Sequence, residues 1–475
     1  MRLKRRLIKR CLLLLCIFTV YYVCKVTVST LSTHSQYGTI RAEKYEKREN
    51  RGFLKKLTSK LQIATTNLIE IFKVRDKLCN TSDVLLDDLP SEKDTWLPVD
   101  KEGTAYVFSA YYVLSKNKIV IIGTKTAASS TVVCTLWYRG ADNSYSSVEV
   151  KTGQTKLPEG REMRYSTYLF TCDLKGREIP DFISVVSTDC YRPYHVMYLR
   201  SVITSEEPKR MFTVCLSPLN KNYSNQYQLI EWIEMNRIYG AKKFVIYNHS
   251  SNSEVGKVLD FYSKRGIAEV VQWNLPIKTQ TVTSQGFQKA NIHYYGQEAA
   301  INDCLYREKQ YSEFVVNIDL DEFIVPRSEK LNTWSDIIKH MKNESGAFIV
   351  RNTFFRTDWT NDDVTIDNKE ISEKFKLVTM QTITREAKIF PPGHRAKCFV
   401  RTSIAEVVMI HYVPALPRAN IPTHIPEKIA LLHHYRSWDG EDPASVGRKV
   451  DKTMPDKYGK ILIHNVKKIW SDLTL

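Results

Sequence analysis

The chain has 475 residues, 69 Lys and Arg against 52 Asp and Glu, a formal net charge of +17 and 43% hydrophobic residues. The charge is unevenly placed: residues 1–60 hold fifteen Lys or Arg against Glu43, Glu46 and Glu49, so +12 lies there and +5 in the remaining 415 residues. A nucleic-acid surface needs basic clustering in the folded part, and this balance argues against one.

In chain order, residues 1–10 carry Arg2, Lys4, Arg5, Arg6, Lys9 and Arg10, and an apolar run from Cys11 to Cys24 continues past Lys25 to Leu31. This pattern predicts a cytosolic tail (1–10) and a signal-anchor segment (11–31), with Lys25 reaching the far interface of a thin bilayer. No small-x-small cleavage site accompanies Val23-Cys24-Lys25-Val26. The expectation is therefore an uncleaved type II membrane protein of the Golgi with its bulk in the lumen; a cleaved signal peptide is the competing reading. Residues 32–95 are polar and charged and read as a stem. Sequons at Asn80, Asn222, Asn248 and Asn343 fit a secretory lumen. Beyond the span lie Cys79, Cys134, Cys172, Cys190, Cys215, Cys304 and Cys398, with no Cys-x-x-Cys pair. That spacing argues against a zinc knuckle, and an oxidising lumen predicts disulfides with at least one cysteine left over; their connectivity is not legible.

Residues 96–206 read as a β-rich module. Apolar runs such as Ala105–Leu114, Lys118–Gly123, Thr131–Tyr138 and Phe182–Val186 are separated by turn residues, without helical periodicity. No catalytic constellation stands out in it. The rhythm changes near Arg210. A strand over Met211–Leu216 leads to a helix over Gln226–Tyr239 that stops at Gly240. A strand at Lys243–Tyr247, a helix at Glu254–Lys264 and a strand at Ile267–Trp273 follow. Further helices are expected over Gln297–Arg307 and Trp334–Lys342, and a strand over Ala347–Val350. Alternating strands and helices predict an α/β domain over 207–475 whose parallel sheet is covered on both faces.

Within it, Phe314–Ile318 reads as a strand buried on both faces that runs into Asp319, Asp321 and Glu322. Clustered carboxylates at a buried strand end are costly unless a cation or a hydrogen-bond network compensates them. Open α/β sheets bind ligands outside the carboxyl ends of their strands, where an Asp-x-Asp can hold a divalent ion against a diphosphate. A solvated acidic turn is the alternative.

Several segments together resemble glycosyltransferase family 92. They are Cys215–Pro218, Glu231–Ile233, Tyr239–Asn248, Tyr295–Gln297, Asp303–Leu305, Asp319–Phe323 and His434–Arg436, in the family's order over about residues 208–440. The resemblance implies a GT-A-like (Rossmann-like) nucleotide-sugar-binding domain, behind the β-rich module and the N-terminal anchor. It implies inverting transfer of galactose from UDP-galactose to a glycan or glycoprotein acceptor, with Mn²⁺ or another divalent cation. One departure is Asn248, where the family would have Asp; Asn248 also begins a sequon.

Chemically, a leaving diphosphate needs an electrophile, and hard cations with oxygen ligands suit it. Asp319, Asp321 and His434 are the candidate metal ligands, with His433 and His411 as alternatives to His434. Pro218, Tyr247, Asn302, Asp303, Asp319 and Arg436 are the candidate nucleotide-sugar contacts, Arg436 through bidentate phosphate contact. Asp358, beside aromatics in Phe354–Trp359, is the candidate general base, with Glu386 behind it. Competing readings are a catalytically inactive glycan-binding membrane protein and another metal-dependent phosphate-ester enzyme.

Overall fold

Eight strands build the first part of the structure, a computed structural model that describes residues 94–473. Residues 130, 142–144, 159–162, 188–194, 203–206, 280, 284–285, 289, 343, 360–367, 415 and 438–445 are excepted. The expected tail, anchor and nearly all of the stem lie outside the described residues, as do Cys79, Asn80, Cys190 and Asn343. Among the described residues no helix is long and apolar enough to cross a membrane.

The strands are β1 (Leu97–Pro98), β2 (Ala105–Val113), β3 (Lys118–Thr126), β4 (Val132–Arg139), β5 (Tyr145–Lys156), β6 (Tyr165–Asp173), β7 (Phe182–Ser187) and β8 (Met197–Val202). Their order is β1-β2-β3-β6-β5-β4-β7-β8, and β8 also pairs in parallel with β2, so the sheet closes on itself as a barrel. Closure removes most of the unpaired edge that short strands otherwise expose. Alternation along each strand fills the interior with Val107, Tyr112, Ile119, Ile121, Leu136, Phe170 and Val185. A Cys134–Cys172 disulfide joins β4 to β6 there.

The second part opens with β9 (Arg210–Leu219), α1 (Gln226–Ile238), β10 (Lys243–Asn248), α2 (Ser253–Lys264) and β11 (Ala268–Gln272). A hairpin of β12 (Thr281–Thr283) and β13 (Gly286–Gln288) comes next, then α3 (Gln297–Glu308) and β14 (Ser312–Asn317). β11, β10, β9 and β14 lie side by side in parallel. The order reverses between β9 and β14, so their carboxyl ends flank a switch point of the kind where α/β sheets bind ligands.

Both faces of this sheet are covered, which is why its strands do not alternate with polar residues. Phe212, Val214, Phe244, Ile246, Phe314 and Val316 face one core with Trp232 and Leu229 of α1. Cys215, Val245, Tyr247 and Val315 face the other, which α3 shares with Trp96, Phe108 and Tyr111 from the barrel. A Cys215–Cys304 disulfide ties β9 to α3, and Cys398 is buried and free.

The chain continues with β15 (Glu322–Pro326), α4 (Trp334–Met341), β16 (Ala347–Val350), β17 (Asn352–Arg356), α5 (Lys369–Lys374) and α6 (Val378–Gln381). It ends with β18 (Thr384–Glu386), β19 (Lys397–Arg401), β20 (Thr423–His424), β21 (Ala430–Arg436), β22 (Arg448–Val450) and α7 (Thr453–Leu473). The wholly parallel sheet expected from the sequence is corrected here. β19 enters antiparallel between β14 and β16, giving a mixed seven-stranded sheet, and a second sheet of order β15-β21-β17-β18-β22 forms beside it. The physical reason is that the regular strand–helix–strand alternation, which sets parallel neighbours, stops after α4. β19 pairs with strands separated from it by 79 and 46 residues of chain, so no single crossover unit dictates its direction.

Candidate functional site

The turn from Ile318 to Asp321 leaves β14 and enters β15, carrying its carboxylates from one sheet to the other. Three contacts fix it. The Glu322 backbone N–H donates to the Asp319 carbonyl (3.1 Å), the Asp319 backbone N–H donates to Glu322 Oε2 (3.0 Å), and Trp232 Nε1 donates to the Asp319 carbonyl (2.9 Å).

Into this turn comes Lys397, the first residue of β19. Its Nζ lies 2.8 Å from Asp319 Oδ2 and 3.0 Å from Glu322 Oε2, with the lysine side chain 2% exposed. Burial works against the ammonium, but the two carboxylates prevail and raise its pKa. Burial likewise opposes the Asp319 charge, yet Lys397 holds that carboxyl below its ordinary value, while burial pushes Glu322 up. Gln297, at the start of α3, donates to Ser217 Oγ (2.8 Å) and reaches Asp319 Oδ1 at 3.4 Å. This ties the carboxyl ends of β9 and β14 to one helix end.

Asp321 meets a different partner. β21 runs antiparallel to β15 with His434 opposite Glu322, which puts His434 Nε2 3.1 Å from Asp321 Oδ2. Its Nδ1 is buried 3.4 Å from Glu322 Oε1, without a hydrogen bond. Burial lowers the imidazole's proton affinity, and the bond to Asp321 more than offsets this, so its pKa is raised. Strand alternation turns His433 to the other face, where it is fully buried against the Phe355 ring at 4.3 Å and burial lowers its pKa to about 3. His411 contacts the Ala396 carbonyl (3.2 Å) through Nδ1.

The donor types fit a hard divalent cation. Two carboxylates and an imidazole are hard or borderline ligands, and Asp321 and His434 are already in contact. As they stand, no three His, Cys, Asp or Glu among the described residues surround one point, and Asp319 is paired with Lys397.

The structure thus brings Asp319, Asp321 and His434 together. Arg436 lies exposed at the end of β21, two residues beyond His434, and Pro218 is buried near the end of β9. Three other expectations are corrected. Tyr247, Asn302 and Asp303 are fully buried. Asn302 donates to the Glu298 and Val408 carbonyls (both 2.8 Å). Asp303 accepts from Tyr111 (2.6 Å), Tyr247 (2.6 Å), Ser109 and Arg307. Asp303 is made internal by Ser109 and Tyr111 of the barrel, and Asn302 by the segment at Val408.

Asp358, the expected base, is ion-paired: both its oxygens accept from Arg356 (3.0 and 2.8 Å), which holds the carboxyl below its ordinary value. Glu386 is buried, 3.4 Å from the same guanidinium.

Sequence reasoning missed Lys397, although a lone lysine in the buried run Ala396–Val400 was a signal. It also missed Tyr294. This residue is 62% exposed, and it and Tyr295 both have left-handed backbone (φ 39° and 59°), a strain that tends to gather at functional sites. Burial, and after it the charges of Asp319 and Asp321, push the Tyr294 hydroxyl pKa up.

A model of glycosyltransferase family 92 matches residues 210–474. Among curated proteins, beta-1,4-galactosyltransferase galt-1 of Caenorhabditis elegans is 24% identical over 330 residues, which are 65% of this chain and 69% of that protein. The glycosyltransferase family 92 protein F13G3.3 of the same organism is 35% identical over 126 residues, 26% of this chain and 24% of its own length. Among solved structures, S. aureus TarS 1–349 has a TM-score of 0.26 at 12% identity, covering 47% of this chain and 60% of that one.

Proposed function

The chain belongs to glycosyltransferase family 92, and from that premise we propose that it transfers galactose from UDP-galactose to a glycan acceptor with inversion, anchored in the Golgi membrane. The observation that carries the donor side is the charged turn at the carboxyl end of β14, where Asp319, Asp321, Lys397 and His434 meet at the switch point of the sheet. The galactosyltransferase name of a relative at 24% identity supports the choice of sugar. The basic head and apolar run of residues 1–31 support the anchor.

Asp321 and His434 would hold a divalent cation such as Mn²⁺, beside Asp319, whose Oδ2 is paired with Lys397. When bound, such a cation supplies positive charge to a leaving diphosphate. The chain's own residues do the rest. Lys397 and Gln297 fix Asp319, the backbone of Asp319 and Glu322 closes the turn, and Arg436 offers a planar guanidinium to phosphate oxygens. In the transfer, the acceptor oxygen bonds to the anomeric carbon and the bond from that carbon to the diphosphate breaks, its electrons leaving with UDP. The acceptor's proton passes to a general base, a role assigned to none of the described residues.

The test is to incubate the purified chain with a panel of sugar nucleotides, glycan acceptors and Mn²⁺. Consumption of UDP-galactose with appearance of a β-linked product is the expected result. Consumption of a different sugar nucleotide would overturn the donor assignment, and consumption of none would overturn the activity.

A further inference from the structure

We propose that Lys397 is a resident counter-cation of the donor site, a positioning residue that fixes Asp319 and Glu322 and leaves Asp321 with His434 as the pair open to a divalent ion. The proposal rests on reading the site as one that receives a divalent ion.

The argument begins with charge. Asp319, Asp321 and Glu322 place three formal negative charges within four residues, and Glu322 is 2% exposed. An uncompensated carboxylate at that depth is strongly disfavoured, and one cation shared between two carboxylates removes the problem. Lys397 does this from β19, a strand whose register is set independently by its antiparallel pairing with β14 and β16. Its ammonium is therefore a fixed part of the sheet, whereas an ion from solution comes and goes.

Two consequences follow. First, the cluster's formal charge becomes −2, which a single divalent ion neutralises. Second, the carboxylates are sorted by geometry. Asp319 Oδ2 and Glu322 Oε2 point to Lys397, while Asp321 Oδ2 points to His434 Nε2 at 3.1 Å. Glu322 also accepts from the Asp319 backbone N–H (3.0 Å), so the lysine holds the turn's shape as well as its charge.

The experiment compares Mn²⁺ binding alone, read from the electron paramagnetic resonance signal of free Mn²⁺, in the full chain and three variants. In Lys397→Met the cluster is one charge more negative, and Mn²⁺ is expected to bind at least about tenfold more tightly while the Tm falls. Lys397→Arg keeps the charge and is expected to keep the affinity within about threefold. Lys397→Met combined with Glu322→Gln restores the formal −2 with the buried carboxylate gone, so folding and wild-type Mn²⁺ affinity are expected to return together. Should the single variant fail to fold, the double variant decides the matter.

Unchanged or weaker Mn²⁺ binding in folded Lys397→Met, or a double variant more than about tenfold from wild type, overturns the proposal and leaves the transferase reading standing. A wild-type chain that binds no Mn²⁺ overturns the proposal as well, and with it the metal part of that reading.

Discussion

Asp319 and Asp321 are two residues apart and meet opposite kinds of partner, a buried ammonium and an imidazole. That asymmetry makes Asp321→Asn informative. The amide keeps the size of the side chain and can still bond His434, and Asp321 is one-third exposed, so the fold is expected to be unaffected within about 0.5 kcal/mol. Transfer is expected to fall by about 10² to 10³ or more, because an anionic ligand that supports the leaving diphosphate is gone. A side-by-side measurement of kcat and urea midpoint checks both halves. Were the motif only an acidic turn, the change would relieve repulsion among three carboxylates, stabilise slightly and leave turnover unchanged. The carboxylates were legible in the sequence because charge at the end of an apolar strand is conspicuous. Their partners were less so: Lys397 comes from 78 residues beyond Asp319 and His434 from 113 beyond Asp321, and only strand register decides which side chains arrive.

Helix α1 shows how much depends on which face an element buries. Its Glu231 is a charged residue between the apolar Ile230 and Trp232, and it is only 1% exposed. It accepts from the backbone N–H groups of Val378 (3.0 Å) and Thr379 (2.9 Å) and from the Thr379 hydroxyl (2.6 Å), at the start of α6. Burial raises its pKa from 4.5 to about 7, and the three hydrogen bonds only partly oppose this. The raised value means that the folded state keeps a proton the unfolded chain loses. The group's contribution to stability is full below pH 4.5, declines as pH rises and is gone above about pH 7. Unfolding free energy measured from pH 4.5 to 7.5 is expected to carry this downward component, and Glu231→Gln, which does not titrate, is expected to remove it. Equal slopes in the two proteins would refute the account. The helix boundaries themselves were legible almost to the residue, because caps and stops are local; its buried acid was not, because α6 is 147 residues away.

At the scale of the whole molecule, the barrel and the mixed sheet have separate strands and a common core. Trp273, just after β11, packs its ring against Trp96 (5.0 Å), Phe108 (4.5 Å) and Tyr247 (4.9 Å), two of them from the barrel side. Beneath this cluster Arg307 of α3 pairs with Asp303 (2.9 Å), Asp94 (2.8 Å) and Glu269 (2.7 Å), and Arg200 of β8 pairs with Asp94. The composition change near Arg210 marks where the strand pattern changes, and it carries no information about whether the two halves bury surface on each other. The structure answers that question with Asp303 and Arg307, buried charges whose partners include residues of the barrel side. Removing the barrel would strip Asp303 of Ser109 and Tyr111 and Arg307 of Asp94, and open Trp273 and Tyr247 to water. Breaking such buried ionic contacts typically costs about 3–5 kcal/mol, and exposing large aromatics adds to that, against a total domain stability of about 5–15 kcal/mol. A fragment of residues 207–475 is therefore expected to lack a cooperative unfolding transition and to bind hydrophobic dye. A fragment beginning at residue 94 is expected to unfold in one step, with tryptophan fluorescence and far-UV circular dichroism changing together. A shorter fragment that unfolds cooperatively at the same denaturant midpoint as the longer one would show instead that the barrel only rests on a self-sufficient sheet.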